Sequence, residues 1–70
     1  MKKLYLIDDH PIVRSGIIRM LERTPGINVI GEAGSIREAR EFLSHYQPDL
    51  ILLDILILRG HISTAFLHHE

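Results

Sequence analysis

Cysteine and tryptophan are absent from this sequence, and phenylalanine and tyrosine occur only twice each. Without cysteine, no disulfide can stabilise the fold. A chain of 70 residues buries only about 60% of the surface that it exposes when unfolded, which leaves its stability marginal. We therefore expect one small domain, and we expect oligomerisation to supply part of the burial that it needs.

An excess of one charge and a long apolar run are also missing. Eight basic residues against nine acidic ones give a net charge of −1. This balance lacks the basic surface that phosphate backbones attract, so we expect no direct DNA binding. The longest apolar run, 50–58, is interrupted by Asp54 and is far shorter than the roughly 20 residues of a membrane span. Asp8 and Asp9 come too early for a signal-peptide core. We expect a cytoplasmic protein without membrane contact.

Short apolar segments alternate with segments of helical periodicity. The run at 4–7 is wholly apolar, as in a strand that is buried on both faces. Pro11 suits the first turn of a helix, and Ser35 with Glu38 has the spacing of a capping box. The pattern predicts strands over 4–7, over 27–30 and from 50, with helices over 12–23 and from 36. The apolar stripe of the first helix is Val13, Ile17, Met20 and Leu21. The predicted buried stripe of the second is Ile36, Ala39, Leu43 and Tyr46, with Phe42 beside it. The predicted solvent-facing arginines are Arg14, Arg19, Arg37 and Arg40.

This β-α-β-α-β alternation indicates an α/β fold with a parallel sheet and crossover helices. If the third strand lies beyond the first, the strand order is 2-1-3, and right-handed crossovers place the helices on opposite faces. The carboxyl ends of strands 1 and 3 then lie side by side, where open α/β sheets bind ligands. Asp8, Asp9 and Asp54 all fall at that edge.

Three neighbouring carboxylates repel one another, and a hard cation such as Mg²⁺ relieves the repulsion by taking oxygen ligands. One carboxylate can then act as a nucleophile towards a phosphoryl group, whose developing charge the metal neutralises. The alternative is that the acids only end strands in solvent, which is our interpretation of Asp49. For the doublet together with Asp54, we favour the site.

Three stretches resemble the receiver domain of NarL/FixJ-type response regulators: LIDDHPIVRSG at 6–16, VIGEA at 29–33 and PDLILLD at 48–54. The resemblance covers about residues 3–55 and implies the N-terminal half of a flavodoxin-like (CheY-like) receiver over 1–55. It implies that Asp54 is the phosphoacceptor, that Asp8, Asp9 and Asp54 hold Mg²⁺, and that a sensor histidine kinase is the phosphodonor. The domain would be a signalling module and no enzyme. Full-length relatives add a DNA-binding helix-turn-helix domain that regulates transcription, and we expect no such domain within these 70 residues.

The resemblance ends soon after Asp54. The family usually continues with a Met-Pro pair and then a glycine, whereas Leu58 stands at the position of the proline and Gly60 comes too early. We expect a divergent tail over 56–70, without counterparts of strands 4 and 5, the switch Thr/Ser or the lysine that contacts the phosphoryl group. The usual conformational response to phosphorylation is therefore not expected.

A second class of function stays open beside the phosphoacceptor: an interaction module that self-associates or pairs with an intact regulator. We expect the third strand to run past Asp54 towards Leu58 and to form a homodimer through its edge over 50–58. Exchange of the tail through Ile62, Phe66 and Leu67 is the competing geometry. We interpret His10 as a helix-start residue rather than a catalytic base. We also considered a transition-metal site formed with Glu70 by His61, His68 and His69, and we interpret these as surface histidines or as part of a disordered terminus.

Overall fold

Residues 1–54 are described by a computed structural model of the chain. The elements are β1 (Lys2–Ile7), α1 (Pro11–Glu22), β2 (Ile27–Ala33), α2 (Ile36–Leu43) and β3 (Leu50–Leu53). The three strands form a parallel sheet of order β2-β1-β3, which confirms the predicted topology. Neither helix in this part of the chain has the length and apolar character needed to cross a membrane.

The central strand β1 forms the middle of the core. Leu4, Tyr5, Leu6 and Ile7 are all at most 5% exposed, because sheet neighbours cover both edges and helices cover the faces. On one face, Tyr5 and Ile7 pack with Ala33, Ile36 and Ala39. Burial raises the pKa of the Tyr5 hydroxyl, and the negative charges of Glu38 and Glu32 raise it further. Tyr5 is therefore a neutral core residue at neutral pH.

Strand β2 is longer than the predicted strand, which ended at Ile30. The register passes from Leu4↔Val29 to Tyr5↔Gly31, so the strand bulges at Ile30 and continues to Ala33. A Cβ on Gly31 would lie 2.7 Å from Cε1 of Tyr5. The Tyr5 ring therefore packs against the backbone of Gly31, which lies within the strand and does not end it.

Helix α2 begins with Ser35 as its N-cap, as predicted, but the Glu38 side chain has a different hydrogen-bond partner from that of a standard capping box. The Ser35 hydroxyl accepts a hydrogen bond from the Glu38 amide at 3.2 Å, while the Glu38 carboxylate accepts from the Gly34 amide at 2.6 Å instead of from Ser35. The helix ends at Leu43, so Tyr46 lies beyond it, is 60% exposed and stacks on Phe42 with ring centroids 4.7 Å apart. Its predicted burial is wrong because the helix is shorter than the apolar pattern.

Helix α1 contains no buried residue. Val13 is 50% and Met20 65% exposed, although both belong to the apolar stripe, whereas Ile17, Ile18 and Leu21 are partly buried. The helix is apolar on more than one side, so helical periodicity alone could not identify the stripe that faces the sheet.

Strand β3 ends at Leu53. The prediction that it runs past Asp54 is therefore wrong at Asp54 itself, because the chain leaves the strand there. Its proposed continuation to Leu58, the divergent tail over 56–70, and the tail residues named for dimer exchange or metal binding lie outside the described residues.

Candidate functional site

The carboxyl ends of β1 and β3 bring Asp8 and Asp54 to the same edge of the sheet. Ile7 pairs with Leu53 as the last register pair, and each strand is followed directly by an aspartate. The Asp54 amide donates to the Ile7 carbonyl at 3.0 Å, and the Asp8 amide donates to the Ala33 carbonyl at 3.0 Å. These backbone hydrogen bonds fix both aspartates where β1 and β3 end.

The three predicted carboxylates converge at this edge. The Asp8 side chain is only 5% exposed, whereas that of Asp9 is 50% exposed, and Asp54 is partly buried. One carboxylate oxygen from each, together with a ring nitrogen of His10, lie within 4.8 Å of one another. The site thus has a buried floor formed by Asp8 and a side open to solvent at Asp9.

His10 joins this cluster, which the sequence reasoning missed. It is the N-cap of α1, as predicted, but its side chain makes no capping hydrogen bond. Its Nδ1 lies 2.9 Å from Oδ1 of Asp9 and 3.8 Å from Oδ1 of Asp8, and its amide donates to Oδ1 of Asp8 at 2.8 Å. The position between the Asp doublet and Pro11 was the available signal, because the helix begins only after His10.

Arg14 holds the loop after β1 and is not the solvated residue that was predicted. Its Nη1 donates to the Asp8 carbonyl at 2.8 Å, and its Nε lies 2.8 Å from Oε1 of Glu32. The side chain is 22% exposed. Arg14 therefore ties α1 and β2 to the backbone of Asp8, and this restricts where the Asp8 carboxylate can lie.

Asp49 lies apart from the cluster, at the amino end of β3. Its carboxylate accepts a hydrogen bond from the Lys3 amide at 2.8 Å. This contact gives Asp49 a structural role at the start of the strand pair, in keeping with our interpretation that it does not belong to the site.

The donor set fits a small, hard divalent cation. In octahedral Mg²⁺ sites, bonds of about 2.1 Å separate adjacent ligand atoms by about 3.0 Å and opposite ones by about 4.2 Å. The oxygens of Asp8, Asp9 and Asp54 lie within 4.8 Å of one another, so small side-chain movements would close them around such an ion. Carboxylate oxygens with access to water are also the ligands that Mg²⁺ prefers.

The sequence is similar to those of known regulatory proteins. The sequence model of the response regulator receiver domain matches residues 4–61. The chain is 40% identical over 60 residues to the DNA-binding transcriptional activator DevR/DosR of Mycobacterium tuberculosis, covering 86% of this chain and 28% of the relative. It is 42% identical over 52 residues to the nitrate/nitrite response regulator protein NarL of Escherichia coli K12, covering 74% of this chain and 24% of the relative.

A solved structure shares the fold as well. The crystal structure of a LuxR-family two-component response regulator from Aurantimonas sp. SI85-9A1 aligns with a TM-score of 0.68 and 41% identity, over 73% of this chain and 36% of that one. A protein-glutamate methylesterase/protein-glutamine glutaminase of Rhizobium etli is 40% identical over 53 residues, covering 76% of this chain and 15% of the enzyme. The chain spans about a quarter of the length of the two transcriptional regulators.

Proposed function

The chain belongs to the response regulator receiver domain family, and on that premise we propose that Asp54 accepts a phosphoryl group at a Mg²⁺ site formed by Asp8, Asp9 and Asp54. The convergence of these carboxylates within 4.8 Å at the sheet edge is the observation that carries the proposal. We further propose that a sensor histidine kinase is the phosphodonor, since receiver domains in general pair with such kinases. We also propose that this chain does not bind DNA directly.

The three aspartates have different roles in the proposed reaction. An oxygen of Asp54 forms a bond to phosphorus while the bond from phosphorus to the donor's leaving atom breaks, and the leaving group departs with that electron pair. Bound Mg²⁺ would neutralise charge on the phosphoryl oxygens. Asp8 and Asp9 hold the negative charge that retains the cation. The buried, backbone-bonded carboxylate of Asp8 keeps the position fixed, and the exposed side at Asp9 admits the donor.

We expect weak Mg²⁺ binding that depends on all three aspartates. Titration of Mg²⁺ into the ¹⁵N-labelled chain should shift the amides of Asp8, Asp9 and Asp54 in a saturable way, because the cation binds beside them. Asp9→Asn should lower the affinity at least about 10-fold, because loss of a direct ligand costs no less than loss of a residue that supports one, while Asp49→Asn should leave the affinity unchanged. If these amides do not move at tens of millimolar Mg²⁺, the proposed site is wrong.

A second function, an interaction module that self-associates, is favoured by the exposure of β3. Leu50, Ile51 and Leu52 are 46%, 50% and 42% exposed. Within residues 1–54, β3 is the edge of the sheet and pairs only with β1. An exposed apolar edge strand is a template for pairing with another chain. Beside it, an open groove of about 590 Å³ between β3 and α2 is lined by apolar residues that include Ile36, Leu43 and Leu53.

We expect the chain to sediment as a dimer at micromolar concentration, because a second copy of β3 would cover this edge. Ile51→Lys should yield a folded monomer, since the charge would have to be desolvated in the interface. Met20→Lys, at a residue that is 65% exposed on α1, is the matched control and should leave the dimer intact. A well-folded monomeric parent chain contradicts this reading. A dimer that survives Ile51→Lys would point instead to the tail.

A further inference from the structure

The side chain of His10 turns towards the acidic site and does not cap helix α1. It makes no capping hydrogen bond, although the N-cap position is where a side chain normally accepts a bond from the helix. Instead, Nδ1 lies 2.9 Å from Asp9 and 3.8 Å from Asp8, and a His10 nitrogen is within 4.8 Å of oxygens from all three aspartates. An imidazole thus stands among the proposed metal ligands.

We propose that His10 supplies a nitrogen ligand to a divalent transition metal at this site, so that the chain binds Zn²⁺ more tightly than Mg²⁺. The inference rests on the proposed function because it uses the same aspartates. It adds a fourth ligand and a different class of metal ion. Zn²⁺ would take one nitrogen from His10 and oxygens from Asp8, Asp9 and Asp54.

The distances around His10 suit a tetrahedral ion. With bonds of about 2.05 Å, neighbouring ligand atoms of a tetrahedral Zn²⁺ site lie about 3.3 Å apart. The separations of His10 Nδ1 from the two carboxylates, 2.9 Å and 3.8 Å, lie on either side of that value. Coordination through Nδ1 requires the ring proton on Nε2. The side chain is 56% exposed, which leaves room for an Nε2–H to bond to water.

The two metals should respond to His10 in opposite ways. Zn²⁺ accepts imidazole nitrogen readily, and divalent transition metals bind mixed nitrogen and oxygen sites more tightly than Mg²⁺ does. Mg²⁺ prefers oxygen and gains little from the ring. For Mg²⁺, the contact of His10 with Asp9 is a competitor, since it uses an oxygen that the ion would bind. Removal of the imidazole should therefore weaken Zn²⁺ binding and spare or slightly strengthen Mg²⁺ binding.

The test compares Zn²⁺ and Mg²⁺ titrations of the full 70-residue chain with those of His10→Asn. The asparagine amide can still donate to Asp9, and asparagine is favoured at an N-cap, so the loop keeps its hydrogen bond but loses the ring nitrogen. We expect the Kd for Zn²⁺ to rise at least about 10-fold and the Kd for Mg²⁺ to stay within about twofold. In the parent chain, Zn²⁺ and not Mg²⁺ should shift one ring ¹⁵N resonance of His10 strongly.

Other histidines need a control, because His45, His61, His68 and His69 can also take up Zn²⁺. His45→Asn, and separately a variant that combines His61→Asn, His68→Asn and His69→Asn, should leave the shifts at Asp8, Asp9 and His10 unchanged. These readouts are specific to each residue, so weak uptake elsewhere on the chain does not obscure them.

An unchanged Zn²⁺ affinity in His10→Asn overturns the inference, and so does an equal loss of both metals, since that would mean His10 only supports the loop. Zn²⁺ shifts confined to the other histidines overturn it as well. A parent chain that binds Zn²⁺ through His10 but shows no Mg²⁺ binding would refute the proposed Mg²⁺ role and leave this inference standing. The two failures are therefore distinguishable.

Discussion

A chain with Leu6→Ala is expected to be about half unfolded or more at 25 °C. Leu6 is 1% exposed at the centre of β1, and truncation of a buried leucine to alanine costs about 3–5 kcal/mol through lost burial and the cavity that remains. Domains of this size rarely have a free energy of unfolding above about 3–5 kcal/mol. The expected loss is thus as large as the whole stability. Far-UV circular dichroism and the dispersion of the amide spectrum measure it.

Leu50→Ala is the matched control for this prediction. It makes the same chemical change in the neighbouring strand β3, at a residue that is 46% exposed and pairs with Leu4. Because solvent already reaches this side chain, the expected loss is about 1 kcal/mol and the spectrum should stay dispersed. A Leu6→Ala chain as stable as Leu50→Ala would mean that β1 is not the centre of the fold in solution.

Labelling of Asp54→Asn by acetyl phosphate is expected to fall to background. The parent chain should take up a phosphoryl group from this donor in a Mg²⁺-dependent way, with acetate as the leaving group. Asparagine occupies the same volume but offers no carboxylate nucleophile, and it removes a charge that holds the metal. Intact mass measured with and without Mg²⁺ follows both effects, because each acyl phosphate adds one phosphoryl group to the chain.

Asp49→Asn provides the control, because it is the same substitution in the same strand pair. The Asp49 carboxylate only accepts a hydrogen bond from the Lys3 amide, and an asparagine carbonyl can accept that bond too. Labelling should therefore match the parent chain. Equal labelling of the Asp54→Asn chain and the parent would transfer the phosphoacceptor role to another residue and remove the basis of the proposed function.

The alternation of strands and helices could be predicted because it depends on short-range apolar patterns. The strand order 2-1-3, and with it the place of the candidate site, followed on the condition that the third strand lies beyond the first. The apolar run 4–7 is buried as predicted, and topology alone puts the residues after Ile7 and Leu53 side by side. The C-terminal end of β2 could not be predicted, because a glycine such as Gly31 usually indicates the end of a strand. A Cβ at this position would lie 2.7 Å from Cε1 of Tyr5, so the requirement for glycine comes from a contact between residues far apart in the chain.

The aspartates of the site were identified from the sequence, but its supporting contacts were not. Arg14 lies on a helix that carries other basic residues, and nothing local distinguishes it from Arg19. Only the folded chain brings its guanidinium to the Asp8 carbonyl and to Glu32. The position of His10 likewise depends on the turn between β1 and α1. Arg14 could not be recognised by spacing, because its partner Glu32 comes from a distant segment of the chain.

The order in which the strands pair determines when the site forms during folding. Strand β1 pairs with β2 across one helical crossover, as in Leu4↔Val29, and with β3 across two, as in Ile7↔Leu53. The second loop is nearly twice as long, so its closure costs more entropy and is expected to come later. The pairing of β3 brings Asp54 beside Asp8, and the Asp54 amide donates a hydrogen bond to the Ile7 carbonyl. A cation bound by both residues would therefore stabilise the pairing of β3 with β1, because its binding free energy adds to the step of folding that closes the longest loop.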